Sequence, residues 1–203
     1  MRWAVFCLFA FIMLALELGL KVLLGIPDAQ GVTPSFLLIL AVFVAMSAPR
    51  QTAAWAALAA GLVVDLTQPF QTDPPLTVGG GVVDLALLGP AGLGYLAGAL
   101  VTFELRGLVF RDSAVAFSAM VFAAGLFVQL VVVGLITMRG FAWVPGEPIA
   151  AWSAADELVH RFFQLLYTAG LAVPVGFVLL RSDPLWGFRS DGAAARMRAR
   201  RIS

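Results

Sequence analysis

Residues 113–138, SAVAFSAMVFAAGLFVQLVVVGLITM, contain no charged side chain, and Gln129 is the only strongly polar one among them. An α-helix needs about 20 consecutive apolar residues to cross a hydrocarbon core about 30 Å thick. A helix also satisfies its own backbone hydrogen bonds, which lipid cannot do. This stretch therefore predicts a transmembrane helix.

Apolar blocks of similar character occur along most of the chain, separated by segments rich in proline and glycine. Hydrophobic residues make up 61% of the sequence and charged residues 12%, with a mean hydropathy of +0.96. A soluble domain is usually about half apolar and a quarter charged. The fold class is therefore predicted to be an all-α polytopic membrane protein with six transmembrane helices, at about residues 3–24, 34–48, 51–66, 84–105, 113–138 and 157–181.

The arrangement of these blocks leads to three further predictions. Residues 1–181 form the six-helix membrane domain, and residues 182–203 form a basic cytoplasmic tail. Residues 67–83, with three prolines and three consecutive glycines, form a loop. The third helix, rich in alanine, is expected to lie at the centre of the bundle because small residues let helices approach closely in lipid.

Basic residues are distributed asymmetrically between the two sides that six spans would define. Lys and Arg in short loops mark the cytoplasmic side. One side receives only Arg139, and Lys21 and Arg161 lie within helix ends. Both termini are therefore predicted to face the cytoplasm, and the tail arginines are expected to contact anionic lipid headgroups. The other side receives Arg2, Arg50, Arg106, Arg111, Arg181, Arg189, Arg196, Arg198, Arg200 and Arg201.

The sequence contains no complete catalytic or cofactor motif. Gly92 and Gly94 do not extend to a dinucleotide fingerprint, and neither a Walker sequence nor a GxSxG elbow occurs. Cys7 and His160 are the single residues of their kinds, so no zinc site of ordinary composition can be assembled. The net charge of +1 gives no reason to expect nucleic acid as a partner. No enzymatic activity, metal or cofactor is predicted.

Several charged residues lie within or next to the apolar blocks, where an ionisable group is a candidate functional residue. Asp65, Asp84 and Glu104 lie near predicted helix ends, where they can act at the interface or be paired. Glu17 and Glu157 each precede a basic residue by four positions, Lys21 and Arg161, which favours a pair on one helical face. The cluster at 156–161 is thus interpreted as a helix start with an internal ion pair.

Three stretches occur in an order that resembles the MreD family of rod-shape proteins. They are residues 33–40 (TPSFLLIL), residues 48–50 (APR) and residues 61–66 (GLVVDL). The resemblance continues through Gly89 and Tyr95 to the basic turn at 106–111, and covers roughly residues 33–112. The segment between Asp65 and Leu88 is longer than expected for that family.

The resemblance implies a non-enzymatic inner-membrane subunit of the bacterial cell-elongation complex. Its expected partners are an MreC-like protein, the actin-like MreB, and the glycosyltransferase and transpeptidase of peptidoglycan synthesis. The implied fold is similar to the substrate-binding subunits of energy-coupling-factor transporters. The residues that carry the resemblance, candidates for partner binding or structure, are Pro34, Pro49, Arg50, Gly61, Asp65, Gly89, Tyr95, Arg106 and Arg111.

Two other functions are compatible with the sequence. The chain could be the substrate-binding subunit of a vitamin-type transporter, with its small-residue helices against a coupling subunit and the loop at 67–83 over a pocket. It could also be a membrane enzyme that uses Asp65, Asp84 or the cluster at 156–161. The enzyme lacks a complete set of catalytic roles and is the weakest of the three.

Overall fold

The computed structural model describes residues 1–24, 34–67, 77–78, 81–82, 88–107, 113–142 and 154–187. This part of the chain is helical apart from one small hairpin, as the sequence predicts. The hairpin joins strands Thr77–Val78 (β1) and Gly81–Val82 (β2) in antiparallel pairing, within the segment predicted as a loop. The helices are α1 (Trp3–Leu24), α2 (Phe36–Ser47), α3 (Arg50–Thr67), α4 (Pro90–Leu105), α5 (Ala114–Ala142), α6 (Ala154–Arg181) and α7 (Asp183–Trp186).

Within the described residues, two helices are long and apolar enough to cross a membrane. These spans are Ala114–Met138 in α5 and Glu157–Arg181 in α6. Shorter apolar helical stretches occur at Trp3–Gly19, Phe36–Ser47 and Pro90–Leu105. Helices α1 to α6 fall within the six apolar segments of the sequence or overlap them.

The central helix of the bundle is α2. All residues from 36 to 46 are buried, and α2 contacts α1, α3, α4, α5 and α6. The expectation that α3 would be central is wrong, since α3 packs mainly on α2 and α4 and leaves Trp55 exposed. The physical reason is that α2 carries bulky apolar side chains on every face, whereas the alanines of α3 serve close packing on one side.

Contacts between helix ends give the bundle two distinct ends. At the Arg50 end, the Arg50 guanidinium lies 3.8 Å from the Glu104 carboxylate, near the end of α4. At the Asp65 end, the side chain of Asp65 meets the start of α4. Helices α3 and α4 are therefore antiparallel.

Glycines allow α4 to lie close to α5. A Cβ atom on Gly94 would come within 2.9 Å of Val132, and one on Gly98 within 2.6 Å of Val128. Both distances are too short for real atoms, so these two glycines form a ridge of small residues that lets α4 pack closely on α5.

The short helix α7 closes the Arg50 end of the bundle. The Trp186 indole is fully buried, with ring centroids 4.9 Å from Phe9 and 5.2 Å from Phe43. The backbone N–H of Arg2 donates a hydrogen bond to the Trp186 carbonyl, at 3.0 Å. The first residues of the segment that the sequence assigned to the basic tail are thus packed against α1 and α2.

Candidate functional site

The first candidate is the carboxylate of Asp65. It is buried near the C-terminal end of α3 and accepts three backbone hydrogen bonds from the start of α4. The N–H donors are Gly89 at 2.9 Å, Ala91 at 3.0 Å and Gly92 at 3.2 Å. The first N–H groups of a helix have no partner within the helix and carry its positive dipole end. Asp65 therefore acts as an N-terminal cap supplied by a neighbouring helix.

This cap also explains where α4 begins. The sequence placed the fourth helix at about 84–105, with Pro90 either starting or kinking it; in the structure α4 begins at Pro90. Gly89 has a φ of +119°, a backbone conformation that residues with a side chain rarely adopt, and its N–H donates to Asp65. Pro90 then occupies the first helical position, where its missing N–H costs nothing.

Gly61 brings the two backbones together one turn before Asp65. A Cβ atom at this position would lie 2.6 Å from the Ala91 carbonyl oxygen and 2.7 Å from the Gly92 Cα. Both neighbours are backbone atoms, which cannot rotate away. Close approach at Gly61 thus places the Asp65 side chain within reach of the α4 amides.

A second buried carboxylate caps a second helix. Glu17 of α1 is 3% exposed and accepts a hydrogen bond from the Leu37 N–H at 3.2 Å. Along the axis of α1, Glu17 lies about 10 Å before the last residue of the helix, Leu24. The N-terminus of α2 therefore begins inside the bundle, below the end of α1. The side chain of Lys21, the predicted partner of Glu17, lies outside the described residues.

Two further hydrogen bonds complete a polar cluster around the start of α2. The hydroxyls of Ser35 and Tyr95 lie 2.9 Å apart, and the Ser35 N–H donates to the Thr168 hydroxyl at 3.1 Å. With Glu17, these residues join α1, α2, α4 and α6 at one level, and they are called the polar cluster below. Tyr95 lies on α4 close behind Gly92, which binds Asp65, so the polar cluster and the Asp65 cap are neighbours.

The Arg50 end holds the second group of residues that carry the family resemblance. The Arg106 guanidinium donates to the Ala48 carbonyl at 3.0 Å and lies 3.7 Å from the centroid of the Phe103 ring. The guanidinium carbon of Arg50 lies 5.7 Å from the same centroid. This end therefore combines a cation–π stack with a bond to the C-terminal end of α2.

A third polar contact joins α5 and α6. The predicted pair is confirmed, since Arg161 donates to Glu157 at 2.5 Å. Arg161 also donates to the side-chain oxygen of Gln129 at 2.9 Å, so the one strongly polar residue of the stretch 113–138 has a partner. His160 is partly buried and belongs to no group of three metal-binding side chains within the described ranges.

The structure brings most of the sequence-derived candidates into two places. Gly61, Asp65, Gly89 and Tyr95 lie together at the Asp65 end. Arg50 and Arg106 meet at the other end, Pro34 is buried just before α2, and Pro49 is exposed between α2 and α3. Arg111 and Asp84 lie outside the described residues, as does the side chain of Asp156.

Sequence reasoning missed two members of the polar cluster. Ser35, directly before α2 and next to Pro34, has the residue type and position of a helix cap. Thr168 had no distinguishing feature, because its role depends on a partner 133 residues away.

The chemistry of the Asp65 end is that of structural hydrogen bonding. Every buried side-chain nitrogen and oxygen of the described chain has a hydrogen-bond partner. Asp65 and Glu17 already act as acceptors for helix N-termini, where negative charge is stabilised.

No family model matches the chain, and no curated protein or solved structure matches it.

Proposed function

We propose that this chain is a multi-pass membrane protein in which α1 to α6 are six spans. Large apolar side chains cover the outside of the bundle: Phe11 on α1 is 70% exposed and Phe177 on α6 is 61% exposed. A soluble monomer rarely exposes apolar patches of more than a few hundred Å². Lipid would cover these faces. The short α2 needs no lipid contact, since other helices surround it.

The proposed orientation puts the Arg50 end in the cytoplasm. Contacts within the described residues place three arginines at this end: Arg2, Arg50 and Arg106. Helix α6 also ends here, at Arg181. The Asp65 end carries the buried carboxylates instead. Basic residues concentrate on the cytoplasmic side of membrane proteins, so both termini would be cytoplasmic.

The function that we propose is that of a non-enzymatic subunit of the bacterial cell-elongation complex in the inner membrane. The observation that carries this proposal is the convergence of the residues on which the resemblance to the MreD family rests. Gly61, Asp65 and Gly89 form one joint between α3 and α4, and Tyr95 extends it to the start of α2. Residues that are far apart in sequence thus act as one structural unit, as a real family pattern would require.

Such a unit suits a protein that holds partners rather than one that transforms a substrate. The two carboxylate caps fix the depth of α2 and the angle of α4, so the surfaces of the bundle keep a defined shape. An MreC-like protein, MreB and the peptidoglycan-synthesising glycosyltransferase and transpeptidase would bind to that shape. Their binding requires no catalytic group on this chain.

The test is affinity purification of the tagged chain from its native membrane in mild detergent, followed by mass spectrometry. Recovery of an MreC-like protein with peptidoglycan synthases is the expected result. Recovery of a pair of ATPases with a transmembrane coupling subunit, or of a bound small molecule, would contradict it and favour the transporter alternative.

A matched pair of variants makes the test sharper. Gly61→Ala pushes a methyl group into the backbone of α4, whereas Gly134→Ala on α5 meets nothing within 4 Å. If partners recognise the shape of the α3–α4 joint, Gly61→Ala reduces partner recovery and Gly134→Ala does not. Equal recovery with both variants would show that the joint does not shape the binding surface.

A further inference from the structure

Two arginines share one aromatic ring at the Arg50 end of the bundle. The guanidinium carbons of Arg106 and Arg50 lie 3.7 Å and 5.7 Å from the centroid of Phe103. Both distances are within the range of a cation–π contact, about 6 Å. Two positive charges are therefore held on one patch at the surface, despite their mutual repulsion.

The two arginines differ in how firmly they are held. Arg106 is partly buried and donates to the Ala48 carbonyl at 3.0 Å, so its position is fixed. Arg50 is paired with Glu104 at 3.8 Å, and both side chains are more than half exposed, at 61% and 69%. An exposed ion pair at this distance contributes little to stability. A stronger acceptor can therefore replace Glu104 as the partner of Arg50.

Phosphate oxygens are the acceptors that guanidinium groups bind best, because the planar donor fork matches them in a bidentate geometry. The surroundings favour a lipid as the source of the phosphate. Arg2 and Arg181 are exposed at the same end, and Trp3 beside Arg2 is half exposed, as aromatic residues at a membrane interface are.

We propose that Arg50 and Arg106, which both contact the Phe103 ring, bind the phosphodiester of an anionic phospholipid headgroup. Arg106 and the ring form the fixed part of this phosphate site, and Arg50 closes over the headgroup when it leaves Glu104. The proposal depends on the membrane-spanning arrangement only, and it holds whether or not the chain belongs to the elongation complex.

The test measures lipid binding to the purified full-length chain in a neutral detergent by native mass spectrometry. Phosphatidylglycerol is titrated against phosphatidylcholine, which has the same phosphodiester without net negative charge. The variant is Arg50→Gln, and the matched control is Arg181→Gln, which removes one exposed positive charge from the same end. Circular dichroism melts confirm that both variants are folded.

We expect phosphatidylglycerol to bind more tightly than phosphatidylcholine. Arg50→Gln should lower the affinity for phosphatidylglycerol about fivefold, the factor that corresponds to about 1 kcal/mol for one arginine near a membrane surface. Arg181→Gln should change the affinity for phosphatidylglycerol by less than about twofold. Equal losses in the two variants would show a diffuse field rather than a site and would overturn the proposal. An absence of preference between the lipids would also overturn it.

Soluble glycerol 3-phosphate distinguishes the two sources of the phosphate group. If it does not displace the lipid at millimolar concentration, the headgroup assignment stands. If it binds to the lipid-free chain and is lost in Arg50→Gln, the ligand is a soluble phosphate ester and the lipid assignment is wrong. Failure of either kind leaves the purification of elongation partners unaffected, so the two proposals can fail separately.

Discussion

Removal of the Asp65 carboxylate gives the most direct test of how this bundle is held together. In Asp65→Ala, the N–H groups of Gly89, Ala91 and Gly92 lose their acceptor. A hydrogen bond to a charged group contributes about 1.5–3 kcal/mol, and loss of an ordinary helix cap costs about 0.5–2 kcal/mol. Gly89 is only half-buried and can be solvated instead. We therefore expect the free energy of unfolding to fall by about 3–5 kcal/mol.

The variant Asp65→Asn refines this prediction. Its amide oxygen can still accept from Gly89 and Gly92, the two donors that share one carboxylate oxygen, while the charge and the bond to Ala91 are lost. An intermediate loss of about 2 kcal/mol is expected.

The assay is reversible unfolding by titration of SDS into mixed micelles, followed by far-ultraviolet circular dichroism. Glu104→Ala is the matched control, because it removes an exposed carboxylate that pairs with the exposed guanidinium of Arg50, and no measurable change is expected. A loss below about 1 kcal/mol in Asp65→Ala, or the same loss in the control, would refute the assignment of Asp65 as the main cap of α4.

Three further substitutions test other contacts with the same assay. Gly61→Ala should destabilise the fold by about 1–3 kcal/mol because its methyl group meets backbone, whereas Gly134→Ala in open space should not; equal effects would contradict the close approach of α3 and α4. Trp186→Ala should cost about 3–5 kcal/mol and expose α1 to proteolysis; an unchanged protease pattern would argue against α7 as part of the bundle. Tyr95→Phe should cost about 1 kcal/mol by removing the bond to the Ser35 hydroxyl, and a stabilised variant would contradict that bond.

The positions of the helices could be predicted from the sequence because hydropathy and helix length are local properties. The charge-free stretch 113–138 forms most of α5, and Glu157 and Arg161, four residues apart, form an ion pair. Gly94 and Gly98 were also interpretable, since small residues four apart in an apolar helix have few roles other than packing.

Tertiary structure decided what the polar residues do. Asp65 was recognisable as an unusual charge at a helix end, but its donors lie 24 to 27 residues further along the chain. The role of Trp186 also depends on distant partners. Its basic, polar surroundings in the sequence predicted a tail, but its ring packs against Phe9 of α1 and Phe43 of α2.

The identity of the central helix shows the limit of local patterns most clearly. Alanines in α3 and bulky residues in α2 both permit burial, and hydropathy alone does not rank them. Five neighbours surround α2 because the caps from Glu17 and the polar cluster let its polar N-terminus begin inside the bundle. The sequence alone determined which segments are apolar helices. Only packing across the chain determined which of them is buried, since burial depends on partners that no single segment encodes.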